Sequence, residues 1–423
     1  MQDVLVVVSL VLSAATSLRG AGRAVGVMQE CAGLVPWSPS WSSTRLWLLR
    51  LGYYKLTRAK EQGNDWVWIV DHVVQAGQEK CLLIVGIRLS AVPAVGEYLT
   101  HADVEPIAVY PVTQSNGEIV YQQLEAARKT TGVPREILSD QGSDLCKGIR
   151  QFCQAHPETS FIYDVKHKVA AVLKRELGAD AAWQEFSRLA GQTSQRVQQT
   201  ALAALAPPRQ RRKARYMNTG ELVAWGERML RYLDEDGGRH QEWGPQRVDQ
   251  AVGWVRQYRQ EVEQWRQLVE VGTLVEQWVK THGLSPRSVP QLPHQLVGVG
   301  TLPRTQQLRT ELVAFVTAEA AKATDGERLV GSSEVIESIF GKWKRLEGEQ
   351  ARSGLTRLVL LLGALVSHTS AAVIRQALES VPTKTVLTWC REKLGKTVQA
   401  TRRAVFVPSR KAEQKQDQLK LAA

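Results

Sequence analysis

A chain of 423 residues that is 43% hydrophobic is long enough for two or three domains with genuine cores and too apolar for an intrinsically disordered protein. Its net charge of +12 points to a polyanionic partner, and that charge sits at the ends: residues 1–60 carry seven basic against two acidic side chains, and residues 391–423 carry nine against three. The five cysteines are scattered, with no CxxC pair and no zinc-type spacing, which excludes a disulfide framework or a zinc ribbon and reads as reduced thiols in a cytoplasmic protein.

Residues 4–15 form an apolar stretch, but Asp3 precedes it where a signal peptide has a basic segment. About a dozen residues do not cross a bilayer, which takes about 20, so the stretch reads as a buried helix and no membrane partner is expected. Short helices follow, broken at Gly33 and Pro36. Residues 38–52 open with cap and turn residues and then place Leu46, Leu49 and Leu51 on one stripe. A helix-turn-helix fits this pattern and would offer Arg45 and Arg50 to a DNA groove; residues 1–62 are therefore expected to be a helical DNA-binding domain.

From residue 66 the period changes. Residues 66–71, 80–88 and 106–112 are runs of β-branched and aromatic residues separated by polar turns. A helix over 117–130, a strand over 136–139, a helix over 144–155 and a strand over 161–163 complete the order β-β-β-α-β-α-β. That is the order of a ribonuclease H-like mixed α/β sheet, and residues 63–178 are expected to be the first half of such a core. Residues 179–325 read as an all-α insertion, with an exposed basic loop at Arg209, Arg211, Arg212, Lys213 and Arg215. The core would resume over 326–395, where residues 355–366 are almost wholly apolar. A basic tail over 396–423 includes Arg402, Arg403, Arg410, Lys411 and Lys415. The insertion tryptophans, among them Trp183, Trp225, Trp254 and Trp265, read as bundle packing, with stacking on an unpaired base as the sharper alternative.

Three acidic positions stand out. Asp71 ends one predicted strand and Asp140 ends another, the latter entering the turn Gln141-Gly142-Ser143-Asp144. A carboxylate at a strand end followed by a tight glycine turn is held rigidly at the sheet's carboxyl edge, and two such groups on neighbouring strands could share divalent cations. A third carboxylate, Glu334 or Glu337, lies on a predicted helix whose apolar face is Ile336, Ile339, Phe340 and Trp343. Asp164 precedes Lys166 and His167, which read either as phosphate contacts or as exposed residues behind an Asp164 helix cap.

Asp71, Asp140 and the spacing Glu337-x-x-Phe340 resemble the DDE transposases of bacterial insertion sequences. Asp140-Gln141-Gly142-Ser143 is also similar to the Asp-Asn-Gly-Ser turn of retroviral-type integrases. Glu337 with Lys344 matches half of a Tyr-Arg-Glu-Lys signature, while Val330 and Ser333 stand where its Tyr and Arg are expected. The resemblance implies Asp71, Asp140 and Glu337 as catalytic ligands of two Mg²⁺ or Mn²⁺ ions, with Glu334 the alternative third ligand. Lys342 and Lys344 would neutralise phosphate near the scissile bond. It further implies cleavage at transposon terminal inverted repeats, strand transfer into target DNA and assembly as a homodimer or larger complex on DNA. Two competing readings are a structure-specific nuclease without joining activity and a catalytically inactive DNA-binding regulator.

Overall fold

The centre of the fold is a strand apolar on both faces. In β1 (Trp66–Val74) the first five residues are all buried, as are Cys81 to Ile87 of β2 (Lys80–Arg88). Runs of this kind, rather than alternating patterns, mark strands covered on both sides. β1 and β2 pair antiparallel from Trp66 opposite Arg88 to Val74 opposite Lys80. β3 (Glu105–Val112) lies antiparallel on the outer side of β2. β4 (Glu136–Ser139) runs parallel to β1, and with β5 (Ser160–Tyr163) the sheet order is β3-β2-β1-β4-β5. Helices α4 (Gly117–Thr131) and α5 (Ser143–Ala155) cover one face, packing Leu124, Ile149 and Phe152 against Trp68, Val70 and Ile84. The expected order of strands and helices is the one found, in a five-stranded mixed α/β sheet.

The computed structural model describes residues 1–74, 79–209, 219–234, 243–348, 354–394, 401 and 405. The basic residues Arg211, Arg212, Lys213 and Arg215, and Arg402, Arg403, Arg410, Lys411 and Lys415, lie outside them. The chain divides into a sheet unit, drawn from 1–94, 98–162 and 333–423, and a helical unit, 95–97 and 163–332.

The amino-terminal helices α1 (Gln2–Ala14), α2 (Leu18–Cys31) and α3 (Trp41–Thr57) belong to the sheet unit. They do not form the separate domain expected over 1–62, because α3 is covered by elements from the far end of the chain. It packs against a 3-10 turn at Arg357–Leu360, against α14 (Leu361–Ala364) and α15 (Ala371–Ser380), and against β3. At Gly52 the approach is so close that a Cβ would lie 1.9 Å from the Leu360 carbonyl oxygen. One turn on, the fully buried Lys55 donates from Nζ to the Val366 and Ser367 carbonyls at 2.6 and 3.0 Å and to the Thr369 hydroxyl at 2.5 Å. A lysine is tolerated in this interior because acceptors surround its donors.

The helical unit begins at Tyr163, earlier than the expected 179, since α6 (Val165–Gly178) packs with the helices that follow it. α7 (Ala181–Val197), α8 (Thr219–Asp234), α9 (Pro245–Val252), α10 (Arg259–His282), α11 (Leu292–Gln295) and α12 (Pro303–Ala320) are its other α-helices among the described residues with named bounds. Phe186 sits at the middle of an aromatic nucleus, 5.1 Å from Trp265 and 5.2 Å from Trp254 between ring centroids. Trp183 meets Trp265 edge-on at 5.0 Å. The indole N–H groups of Trp225, Trp254 and Trp265 donate to the Leu205 carbonyl, the Thr193 hydroxyl and the Asp180 carboxylate. These rings are therefore bundle core, engaged by both their faces and their polar edges.

Gly52→Ala is expected to destabilise the protein by about 1 to 3 kcal/mol through overpacking at a backbone contact, measured as a lower urea midpoint at unchanged slope. A neutral result would mean that α3 and the Leu360 turn can separate without loss.

Candidate active site

The sheet register sets two of the three predicted acidic residues at the same level of neighbouring chains. Val70 pairs with Ser139 as the last rung of the β1–β4 ladder, and Asp71 and Asp140 are the next residue on each chain. Neighbouring strands lie about 4.8 Å apart, so the two carboxylates leave adjacent chains at the same level of the sheet edge. Both residues are partly buried. The turn after Asp140 is fixed locally: its Oδ1 accepts the Gly142 N–H at 2.9 Å, and Asp71 Oδ1 accepts the His72 N–H at 2.6 Å.

Glu334 and Glu337 occupy the first turn of α13 (Glu334–Glu347), which packs against β1 through a face including the buried Ile336, Ile339, Phe340 and Trp343. Trp343 is locked by an indole bond to the Leu358 carbonyl at 2.8 Å. Glu334 is exposed, whereas Glu337 is partly buried. Among the described residues no three His, Cys, Asp or Glu side chains stand close enough together to hold a metal ion. Asp71 and Asp140 carry hard oxygen donors of the kind Mg²⁺ and Mn²⁺ take.

A polar cluster that the sequence did not reveal lies around this edge. Asp144, in the first turn of α5, accepts from Lys80 Nζ at 2.6 Å, and the same carboxylate oxygen lies 3.7 Å from His72 Nδ1. Ser115 Oγ stands 3.4 Å from the other nitrogen of that ring. Burial pushes the His72 imidazole down to about 4, against the raising influence of Asp144. Burial also opposes ionisation of Asp144, but bonds from Lys80 and Ser115 outweigh it and hold the carboxyl at about 2. At neutral pH the Lys80–Asp144 contact is therefore an ion pair, and the longer His72–Asp144 contact is not.

The predicted DNA contacts divide. Arg50 is committed inside the protein, its guanidinium donating to the Val381 carbonyl at 2.6 Å and to that of Leu378, and it does not face a groove. Arg45 lies over the Trp41 ring at 4.9 Å with its buried Nε unbonded. Lys342 donates to His101 Nε2, which leaves Lys344, exposed on α13, as the more accessible of that pair. Lys166 and His167 are on α6, in the helical unit, where Asp164 accepts the His167 N–H at 2.8 Å and caps the helix. Sequence reasoning missed an open groove of 670 Å³ along the outer face of α5, running from Gln141 and Ser143 past Lys147 and Arg150 to Gln154. Basic residues three apart on that helix, just after the Asp140 turn, were the available signal.

No family model matches the chain, and neither does any curated protein. Fifteen chains of solved structures do. One is the Drosophila P element transposase strand transfer complex, to which this chain is similar with a TM-score of 0.43 and 11% identity over 88% of this chain and 92% of that chain.

As pH falls, the unfolded chain protonates His72 near its ordinary value of 6.5, while the folded chain resists until about 4. Stability is thus fully present above 6.5 and is lost as pH drops through that window, by about 3 kcal/mol at about 1.4 kcal/mol per unit. The depressed Asp144 carboxyl has its own window, from its ordinary 3.8 down to about 2. Urea unfolding in EDTA between pH 7 and 4 should show the first loss and His72→Gln should flatten it; an equal slope in both proteins would contradict the burial argument.

Proposed function

We propose that this chain is a transposase of the DDE type, which cuts DNA at the ends of a mobile element and joins the exposed 3′-hydroxyls to target DNA. The observation that supports this reading is the β1–β4 register, whose last rung, Val70 opposite Ser139, directly precedes Asp71 and Asp140. Two carboxylates placed side by side repel each other, and a divalent cation is the partner that relieves such a pair. Asp71 and Asp140 would hold Mg²⁺ or Mn²⁺ between them, and Glu337 is the third ligand favoured over Glu334, since it is the less exposed of the two on the helix that packs on β1. A bound pair of ions would activate an attacking hydroxyl and stabilise the leaving oxygen of a phosphodiester.

The other residues have binding roles. Lys147 and Arg150 in the α5 groove, and Lys344 on α13, lie within the sheet unit that carries the aspartates and would neutralise backbone phosphates. The DNA partner would be the terminal inverted repeats and then the target, with the protein acting as a dimer or larger complex on paired ends.

Asp71→Ala, Asp140→Ala and Glu337→Ala should each abolish Mg²⁺- or Mn²⁺-dependent nicking of an end substrate while end binding in a gel-shift assay stays within about twofold. Glu334→Ala should retain nicking. Activity in Glu337→Ala together with its loss in Glu334→Ala would move the third ligand. A precut end that is never joined to target would leave a nuclease, and a parent protein that binds ends but never cuts them would leave a regulator.

A further inference from the structure

Asp71 is carried within the long strand β1 and Asp140 by the turn after β4, and backbone register by itself does not fix the distance between such side chains. Asp71 is followed at once by His72, whose side chain is only 6% exposed and leaves β1 on the side opposite its neighbour. Asp140 is followed by a turn whose near end is tied by the Gly142 N–H and whose far end is Asp144. The carboxylate of Asp144 in turn meets three other segments of chain. Lys80 at the start of β2 donates to it at 2.6 Å, His72 in the second half of β1 lies 3.7 Å away, and Ser115 between β3 and α4 bonds to it while standing 3.4 Å from His72.

We propose that Asp144, anchored by Lys80 and flanked by His72 and Ser115, is a positioning residue that fixes the separation and direction of Asp71 and Asp140. The inference rests on reading those two aspartates as a metal pair, and it adds the device that keeps them together when no cation is present. The geometry suits the task. One carboxylate bonds the start of α5, just past the turn carrying Asp140, to Lys80 of β2 and packs beside the residue directly after Asp71, so a shift of either backbone disturbs the same cluster. Solvent-exposed ion pairs contribute only about 1 kcal/mol or less to stability and this one is partly buried, whereas outer residues that orient metal ligands typically change affinity or activity about 10- to 100-fold. The two scales separate a positioning role from a purely structural one.

The test uses the full chain with Mn²⁺ as probe, its binding read by electron paramagnetic resonance, beside thermal unfolding and nicking of an end substrate. Asp144→Asn and Lys80→Met should weaken Mn²⁺ binding about 10- to 100-fold and slow nicking similarly, with end binding unchanged. Lys80→Arg, which restores the ion pair, should recover most of the affinity and keeps the test informative should Lys80→Met fold poorly. Mn²⁺ binding and nicking within twofold of the parent in both Asp144→Asn and Lys80→Met would overturn the positioning role while leaving the metal pair intact. If Asp71→Ala leaves the parent's Mn²⁺ binding unaltered, the metal-pair reading falls and the inference falls with it.

Discussion

The parallel pairing of β1 with β4 is the constraint on which the rest depends. Residues separated by nearly seventy positions reach the same level of one sheet edge only because Val67 to Val70 align with Glu136 to Ser139 without offset. A slip of one residue would turn Asp71 and its neighbours to the opposite face, and burial forbids that slip. Trp68 and Val70 face the core made with α4 and α5, while Val67 and Ile69, equally buried, occupy the alternate positions. The apolar run from Trp66 to Val70 is thus what places Asp71 accurately within β1, which continues to Val74 rather than ending at Asp71 as expected.

Around that pair, the sheet unit uses buried polar groups where accuracy matters and close backbone packing where it does not need them. Gly52 lets α3 touch the Leu360 turn directly, and Lys55 gathers the carbonyls that end the apolar stretch. At the sheet edge the Asp144 carboxylate, with Lys80 and Ser115, plays the corresponding role for the turn after Asp140. The helical unit is stabilised differently, by an aromatic nucleus whose indole donors reach Thr193, Asp180 and the Leu205 carbonyl.

The strands were legible because a strand buried on both faces has to be a continuous run of β-branched and aromatic residues, and Trp66 to Val70 is one. The Asp140 turn was legible because a glycine three residues past a strand end has few other uses. What could not be read were the contacts made over great sequence distance. Arg50 resembles a groove-reading residue until Val381, 331 residues away, accepts its proton; Lys55 has its carbonyl partner 311 residues on. No local pattern announces that α3 is covered by the opposite end of the chain. Lys342 could not be distinguished from Lys344 without knowing that His101 lies beside it. The start of the helical unit was misplaced because α6 follows β5 after a single residue, which hides the change of unit.

The central claim is that Asp71 and Asp140 share a divalent cation. Its most direct test is a crystal of the protein grown with Mn²⁺ and measured at the manganese absorption edge. The account predicts an anomalous peak bridging the carboxylates of Asp71 and Asp140, with Glu337 drawn in as a further ligand. Strong anomalous peaks elsewhere in the molecule and none between these two side chains would contradict it.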